Sequence, residues 1–299
     1  AKYATPSIAA SAAKAMAIPA AVETSRFIPS SIKRRRGLCI PRVSTQGSVT
    51  GVLYAVSVAT INAPRSGTRA ATGHVLAAGI AGAWVAIHFG GIFAFPLTAA
   101  SIVWVVPLVL VQTWLSTGLF IVAHDCMHGS FAPGRSALNR AVGRAALMLY
   151  AGIDYDRMLP NHFAHHRHVG TAADPDFDAA NPTRPVQWLA RFFAAYYSHW
   201  QIARIVVVLS VYQLLGASLV NILVFWAIPA LLALLQLFWF GTFLPHRHTH
   251  DAFPDRHNAR SSRFGPWLSV LTCFNFGGYH HEHHLHPHVA WWRLPGTRA

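Results

Sequence analysis

Residues Ala70 to His124 contain no Asp, Glu, Lys or Arg, and neither do residues Ile205 to His246. The first run is 55 residues long and the second 42. One crossing of a bilayer core takes about 20 apolar helical residues, so each run is too long for one span and fits two joined by a turn. Burial inside a soluble protein is a poor alternative. Only 11% of the chain is charged and 53% is hydrophobic, too few charges to cover a soluble surface. The same apolar content excludes disorder throughout. Three cysteines (Cys39, Cys126, Cys273) without a CxxC pair exclude a disulfide framework. The sequence therefore predicts an all-α integral membrane protein with four transmembrane helices in two hairpins. The first pair is expected near Val75–Phe95 and Thr98–Val122, turning at Phe95-Pro96. The second pair is expected to join near Gly216–Asn221, with Pro229 kinking its second helix.

The net charge of +14 is unevenly placed. Residues 1–73 hold ten bases (Lys2, Lys14, Arg26, Lys33, Arg34, Arg35, Arg36, Arg42, Arg65, Arg69) against one acid, Glu23. This basic, Ser/Ala-rich, acid-poor segment has the composition of an organelle transit peptide, here read as plastid-directed, or of a disordered tail. It precedes a membrane domain at 74–299. A nucleic-acid arm does not fit, because nothing that follows resembles a nucleic-acid module. Neither outer turn carries Lys or Arg, so all 24 bases fall on one side, which marks the cytosolic or stromal face. Between the hairpins, Ser136–Ile153 is apolar but carries Arg140 and Arg144, which suits a helix lying at the interface.

Seventeen of the 19 histidines lie between His124 and His288. They form an HxxxH box (His124, His128), an HxxHH box (His162, His165, His166) followed by His168, a group His246, His248 and His250, and a last box His280, His281, His283 and His284 running on to His286 and His288. Residues three and four apart share a helical face, so HxxxH presents two imidazoles to one point and HxxHH three. Imidazole suits iron, zinc, copper or nickel. A catalytic zinc takes about three protein ligands; three boxes plus His246 exceed what one ion uses, and two metals are expected in a histidine-rich helical cap on the basic side. Neutral ligands leave the cations' charge uncompensated, which gives nearby carboxylates a task. Asp125 and Glu282 lie inside boxes, and Asp174 and Asp176 follow the second; their plainer alternative is helix capping or pairing with Arg167 and Arg247.

The stretches HDCMHGS (124–130), NHFAHHRHVGTAADPDF (161–177), FLPHRHTH (243–250) and NFGGYHHEHHLHPHVAWWRLP (275–295) resemble the motifs of the membrane β-carotene ketolases, a family of the histidine-box di-iron desaturase and hydroxylase superfamily. The resemblance covers about Val75 to Pro295. It implies a di-iron centre, dioxygen as co-substrate, an external electron donor such as ferredoxin or a reductase, and oxidation of carbon 4 of a β-ionone ring to a ketone. It also implies the iron ligands: His124, His128, His162, His165, His166, His246, His280, His283 and His284. Asp125, Asp174, Asp176, Glu282, His168, His248 and His281 are expected around them, and His250, His286 and His288 there or at the interface. His74, His88, His199 and His257 are expected to be structural. Trp114, Phe120, Trp239, Phe240, Phe274, Phe276 and Tyr279 are candidates to line the path of a polyene entering from the lipid, with lipid-facing packing as the alternative for each. A carotenoid hydroxylase or a lipid desaturase would use similar boxes. A non-enzymatic metal carrier should place ligands inside its spans, where only His88 clearly lies.

Overall fold

The computed structural model describes residues 66–298. The chain divides into Ala1–Ala59, outside the described residues, and Thr60–Ala299. The expected basic leader, 1–73, therefore lies outside the described residues except for its last eight, which open the first helix. Every regular element among the described residues is helical. Helix α1 (Ser66–Phe89) runs on as a π-helical stretch, Gly90–Ala94. After a turn at Thr98–Ser101 comes α2 (Ile102–Met127). Then follow α3 (Ser136–Ala151), α4 (Tyr155–His168), α5 (Pro185–Tyr196) and α6 (His199–Leu214). Helix α7 (Leu219–His246) contains two π-helical stretches, Leu223–Ala227 and Leu237–Phe243. Two short helices, α8 (Pro266–Cys273) and α9 (His280–Leu285), and a 3₁₀ segment, Trp291–Thr297, complete the chain.

Among the described residues, three helices are long and apolar enough to cross a membrane: Ala71–Ala94, Ile102–Met127 and Leu219–His246. The helix in the place of the third expected span, α6, has 16 residues, none of them fully buried in the protein. The second span runs further than expected, through Met127, and so carries His124 inside it. Pro229 lies in the α-helical segment of α7 between its two π stretches, two residues after the first of them ends. Each π turn adds one residue to a helical turn and rotates every side chain that follows, a change that apolar composition does not announce.

Polar side chains inside the spans are spent on neighbouring helices, as a medium without water requires. Trp84 Nε1 donates to Ser116 Oγ at 2.9 Å, joining α1 to α2. Thr117 donates to Gln236 Oε1 at 2.9 Å, and Gln236 Nε2 donates to the carbonyls of Leu271 (2.8 Å) and Thr272 (2.6 Å), joining α2, α7 and α8. Asn221 at the start of α7 donates to the carbonyls of Gly91 and Phe95, both at 2.8 Å, where the π-helical end of the first span leaves acceptors free. The approach is close: a Cβ on Gly91 would sit 2.3 Å from Phe225. Asn221→Ala should strand those two carbonyls at a cost of about 1–3 kcal/mol. The check is the detergent melting temperature, which should fall, while Ser218→Ala, an exposed neighbour, should leave it unchanged.

On the other side, Asp154 caps α4 by accepting from the backbone N–H of Asp156 (3.0 Å) and Arg157 (3.2 Å). Arg140 and Arg144, four apart on α3, both grip the Asp156 carboxylate at 2.7 and 2.5 Å. The helix expected at the interface thus exists, and its arginines fix the entry of the helix that carries the second histidine box.

Candidate metal centre

Helix α2 supplies His124 within its last turn and His128 just past it, where the chain turns through Gly129 at φ 70°. Helix α4 brings His162, His165 and His166 from its last two turns. His246 ends α7, three residues after the second π stretch. Helix α9 is little more than the third box itself, His280–Leu285. These stretches gather all nine expected ligands into two groups. His124, His128, His162, His166 and His283 form one; His165, His246, His280 and His284 form the other, and in each the ring nitrogens lie within 4.8 Å of one another. The helical spacing of the boxes explains both the gathering and the split. In HxxHH, His162 and His166 are four apart and join one group, while His165 turns toward the other. His280 and His284, again four apart, pair in the second group, and His283 crosses to the first.

Several Nε2 atoms face each other directly. His162 meets His128 at 2.6 Å, His283 meets His166 at 3.1 Å, His246 meets His280 at 2.9 Å, and His284 meets His280 at 3.1 Å. Two partners fix the outer nitrogen of their ring. His165 Nδ1 donates to Asp174 Oδ1 at 3.0 Å and Oδ2 at 3.1 Å, and His246 Nδ1 donates to the carbonyl of Asn258 at 2.8 Å. A proton held on Nδ1 aims the bare Nε2 inward, the arrangement of metal-ligating histidines. Burial, reinforced by neighbouring imidazoles, holds His162, His280, His283 and His284 well below the usual histidine range. It lowers His128 to about 4 and His166 to about 2. These rings are neutral near pH 7, with lone pairs free to bind. At His165 burial also lowers the value, but the hydrogen bond it donates to Asp174 and the charges of Asp176 and Asp174 outweigh it. Convergent, neutral, buried imidazoles fit two borderline divalent cations.

The carboxylates divide. Asp174 and Asp176 stand beside His165, Asp176 at 3.9 Å, and Tyr196 donates its hydroxyl proton to Asp176. Asp125 instead accepts the backbone N–H of Trp291 at 3.2 Å, tying the C-terminal segment to α2. Glu282 is held by Arg298 and Ser261 rather than by Arg167 or Arg247. His281 donates to Asp255 Oδ2 at 2.9 Å, His248 packs its ring on Phe177 and Phe253, and His168 is exposed at the end of α4. Of the seven residues expected around the ligands, Asp125, Glu282, His248 and His281 therefore have partners elsewhere and His168 is exposed. Of the histidines expected to be structural, His88 bonds the Tyr212 hydroxyl at 3.0 Å, His74 packs on Phe131, and His199 bonds the Tyr197 hydroxyl at 3.1 Å. His257 pairs with Asp255 at 3.0 Å.

A cavity of about 390 Å³ opens from the two groups. Its inner end is made by His124, His162, His165, His166, His280, His283 and His284, and its walls by apolar residues of α2, α3, α5, α6 and α7. Of the seven aromatic residues singled out in the sequence, Phe120 and Phe276 line it. Trp114 stacks on Phe274, Phe240 packs on Phe264, Trp239 packs on Phe243, and Tyr279 lies under Arg298. The aromatic lining that sequence reading missed is Tyr150, Phe192, Tyr196 and Trp226. These come from helices without a histidine box, and only the assembled bundle brings them to the site.

A family model described as fatty acid desaturase matches residues 101–206 and 190–299; the chain belongs to that family. Within it the chain is similar to proteins named β-carotene ketolase. One from a Paracoccus strain is 52% identical over 229 residues, covering 77% of this chain and 93% of the relative. That of a second Paracoccus strain is 54% identical over 186 residues, 62% of this chain and 76% of the relative. One from Haematococcus lacustris is 35% identical over 261 residues, 76% and 79% of the two chains.

Proposed function

We propose that this chain is a membrane β-carotene ketolase. It oxidises the carbon-4 methylene of a β-ionone ring to a ketone with dioxygen, on the route to echinenone, canthaxanthin and astaxanthin, with one iron in each histidine group. The observation that carries this reading is the cavity: seven histidines of the two groups close its inner end, and its walls are apolar. A long polyene dissolved in lipid could lay one end ring there. The names of the relatives favour ketone formation over the hydroxylase and lipid-desaturase alternatives. A non-enzymatic metal-binding protein has no use for such a cavity.

Two bound irons would supply the activation of dioxygen and the removal of an allylic hydrogen. The protein's part is orientation and shielding. Phe120, Tyr150 and Trp226 flank the ring, and the apolar walls keep bulk water from the reacting carbon. Asp174 holds the His165 proton on Nδ1 and, with Asp176, offsets cationic charge. Each oxygen insertion takes one dioxygen, two electrons and two protons and releases one water. A second insertion at the same carbon gives a geminal diol, which loses water to leave the ketone. The electrons come from an external donor such as ferredoxin or a reductase. Expression in a β-carotene-producing bacterium should yield 4-keto rings; unchanged β-carotene, or rings hydroxylated without ketone, would overturn the assignment.

The four-span topology belongs to the same proposal. Helix α6 serves as the third of four spans, both outer turns lie on one side, and the histidine groups face the cytosol or stroma. Its support is that α6 is apolar, has no fully buried residue and leads by a tight turn into α7. Asn221 is buried, so the exposed Ala99 and Ser218 are the positions for labelling. Cysteines there should react from one side of the membrane and a cysteine at the exposed Ala252 from the other; labelling of all three from one side refutes the topology. The composition of residues 1–73 supports a plastid membrane as the location.

A further inference from the structure

We propose that Asn258 is a positioning residue that sets the geometry of the four-histidine group and leaves the five-histidine group untouched. The inference rests on reading both groups as iron sites.

Asn258 has φ 44°, in the left-handed region, which Asn and Asp enter far more readily than other side chains bearing a Cβ. That conformation presents its carbonyl to His246, whose Nδ1–H donates to it at 2.8 Å. The proton is thereby fixed on Nδ1, and Nε2, which faces His280 Nε2 at 2.9 Å, is left bare. The Asn258 side chain does a second thing: its Nδ2 donates at 2.8 Å to the carbonyl of Val169, the residue that ends α4 just after the second box. The next residue, Gly170, has φ 69°, and a Cβ there would lie 3.0 Å from Asn258 Cβ, so the turn is built to let Asn258 in.

The preceding residues reach the third box. Asp255 accepts from His281 Nε2 at 2.9 Å and from His257 Nδ1 at 3.0 Å, and the His257 ring lies 6.5 Å from that of His284. The backbone carbonyl of Asp255 accepts the backbone N–H of Asn258 at 3.3 Å. Residues 255–258 thus bind the end of the second box, His246 and the third box. The two boxes also supply His162, His166 and His283 to the other group, whereas His246 serves the four-histidine group alone, so the carbonyl bond to His246 is the contact that acts on one group only. None of the hydrogen bonds of residues 255–258 among the described residues reaches α2, which supplies His124 and His128 to the other group.

The demand falls on the backbone carbonyl, so substitutions should rank by their tolerance of positive φ and not by polarity. Asn258→Gly and Asn258→Asp keep the left-handed turn and the acceptor; Gly loses the bond to Val169, and Asp must also turn its carboxylate away from that carbonyl. Asn258→Ala resists that turn, and Asn258→Val resists it more. Loss of such an outer partner lowers metal affinity about 10- to 100-fold. The experiment is Mössbauer spectroscopy and iron titration of detergent-purified full-length protein loaded with isotopically enriched iron. The wild type should show two iron environments of equal area. Asn258→Val and Asn258→Ala should shift or empty one and spare the other, while Asn258→Gly and Asn258→Asp retain both. If both environments change together, if Gly is as damaging as Val, or if Asn258→Val binds iron like the wild type, the inference is overturned with the iron reading intact. If the wild type itself holds no pair of irons, the iron reading falls first and takes this inference with it.

Discussion

His166→Ala and His284→Ala should each reduce ketone formation to background while the protein still accumulates in the membrane. The two residues end their HxxHH boxes, yet they serve different groups. His166 Nε2 lies 3.1 Å from His283 Nε2 in the five-histidine group, and His284 Nε2 lies 3.1 Å from His280 Nε2 in the four-histidine group. Neither can be replaced by its neighbour in sequence, because His165 and His283 already point into the opposite group. Alanine removes a ligand nitrogen without adding bulk, so the fold should persist. His199→Ala is the control. It loses one exposed hydrogen bond to the Tyr197 hydroxyl, worth about 0.5–1.5 kcal/mol, and should retain turnover. The measurement is ketone formed per unit of membrane-inserted protein. Near-normal turnover in either box variant would dissolve the assignment of the groups.

Ala227→Trp should lower ketone formation about 100-fold without lowering iron content. Ala227 lines the cavity on α7, at the end of the first π stretch of that helix. An indole there takes up space that the end ring would occupy and displaces the reacting carbon from the histidine groups. No ligand is touched, so metal analysis and product analysis should part company. Full activity in this variant would mean that the polyene reaches the metals by another route. Ala227→Ser, which changes polarity more than size, should be far milder.

The charge-free runs located three helices long and apolar enough to span, to within about five residues, because exclusion of charge from lipid is a strong constraint. The boxes were equally legible, since a spacing of three and four on a helix forces convergence. What the spacing does not contain is the partner: that His165 leaves His162 and His166 for the company of His246 depends on how α4 meets α7 and α9. The carboxylates show the same limit. Asp174 is next to His165 because the chain turns back after α4. Asp125, embedded in a box, is turned by its helix toward Trp291. The length of α6 and the cavity's aromatic lining were likewise outside local pattern, because apolar residues at an interface, in lipid and around a ligand look alike until neighbours are known. Asn258 carried no signal, since its contribution is a backbone carbonyl, which every residue has.

Helix α6 walls the cavity with Ile202, Ile205 and Leu209, yet none of its residues is fully buried against the rest of the protein. Its ties include hydrogen bonds of Gln201 and Arg204 to the carbonyls of Ala151 and Gly152, one between Tyr212 and His88, and half-buried packing of Leu209 and Tyr212. A segment without a fully buried residue opens at a lower free energy than the core. The rigid part of the molecule is then the bundle of α1, α2 and α7 with its interhelical hydrogen bonds, and the compliant part is the outer wall. Exchange of a bulky guest with the surrounding lipid can proceed by swinging that wall aside, while the histidine groups, none of whose members lies on α6, keep their spacing throughout.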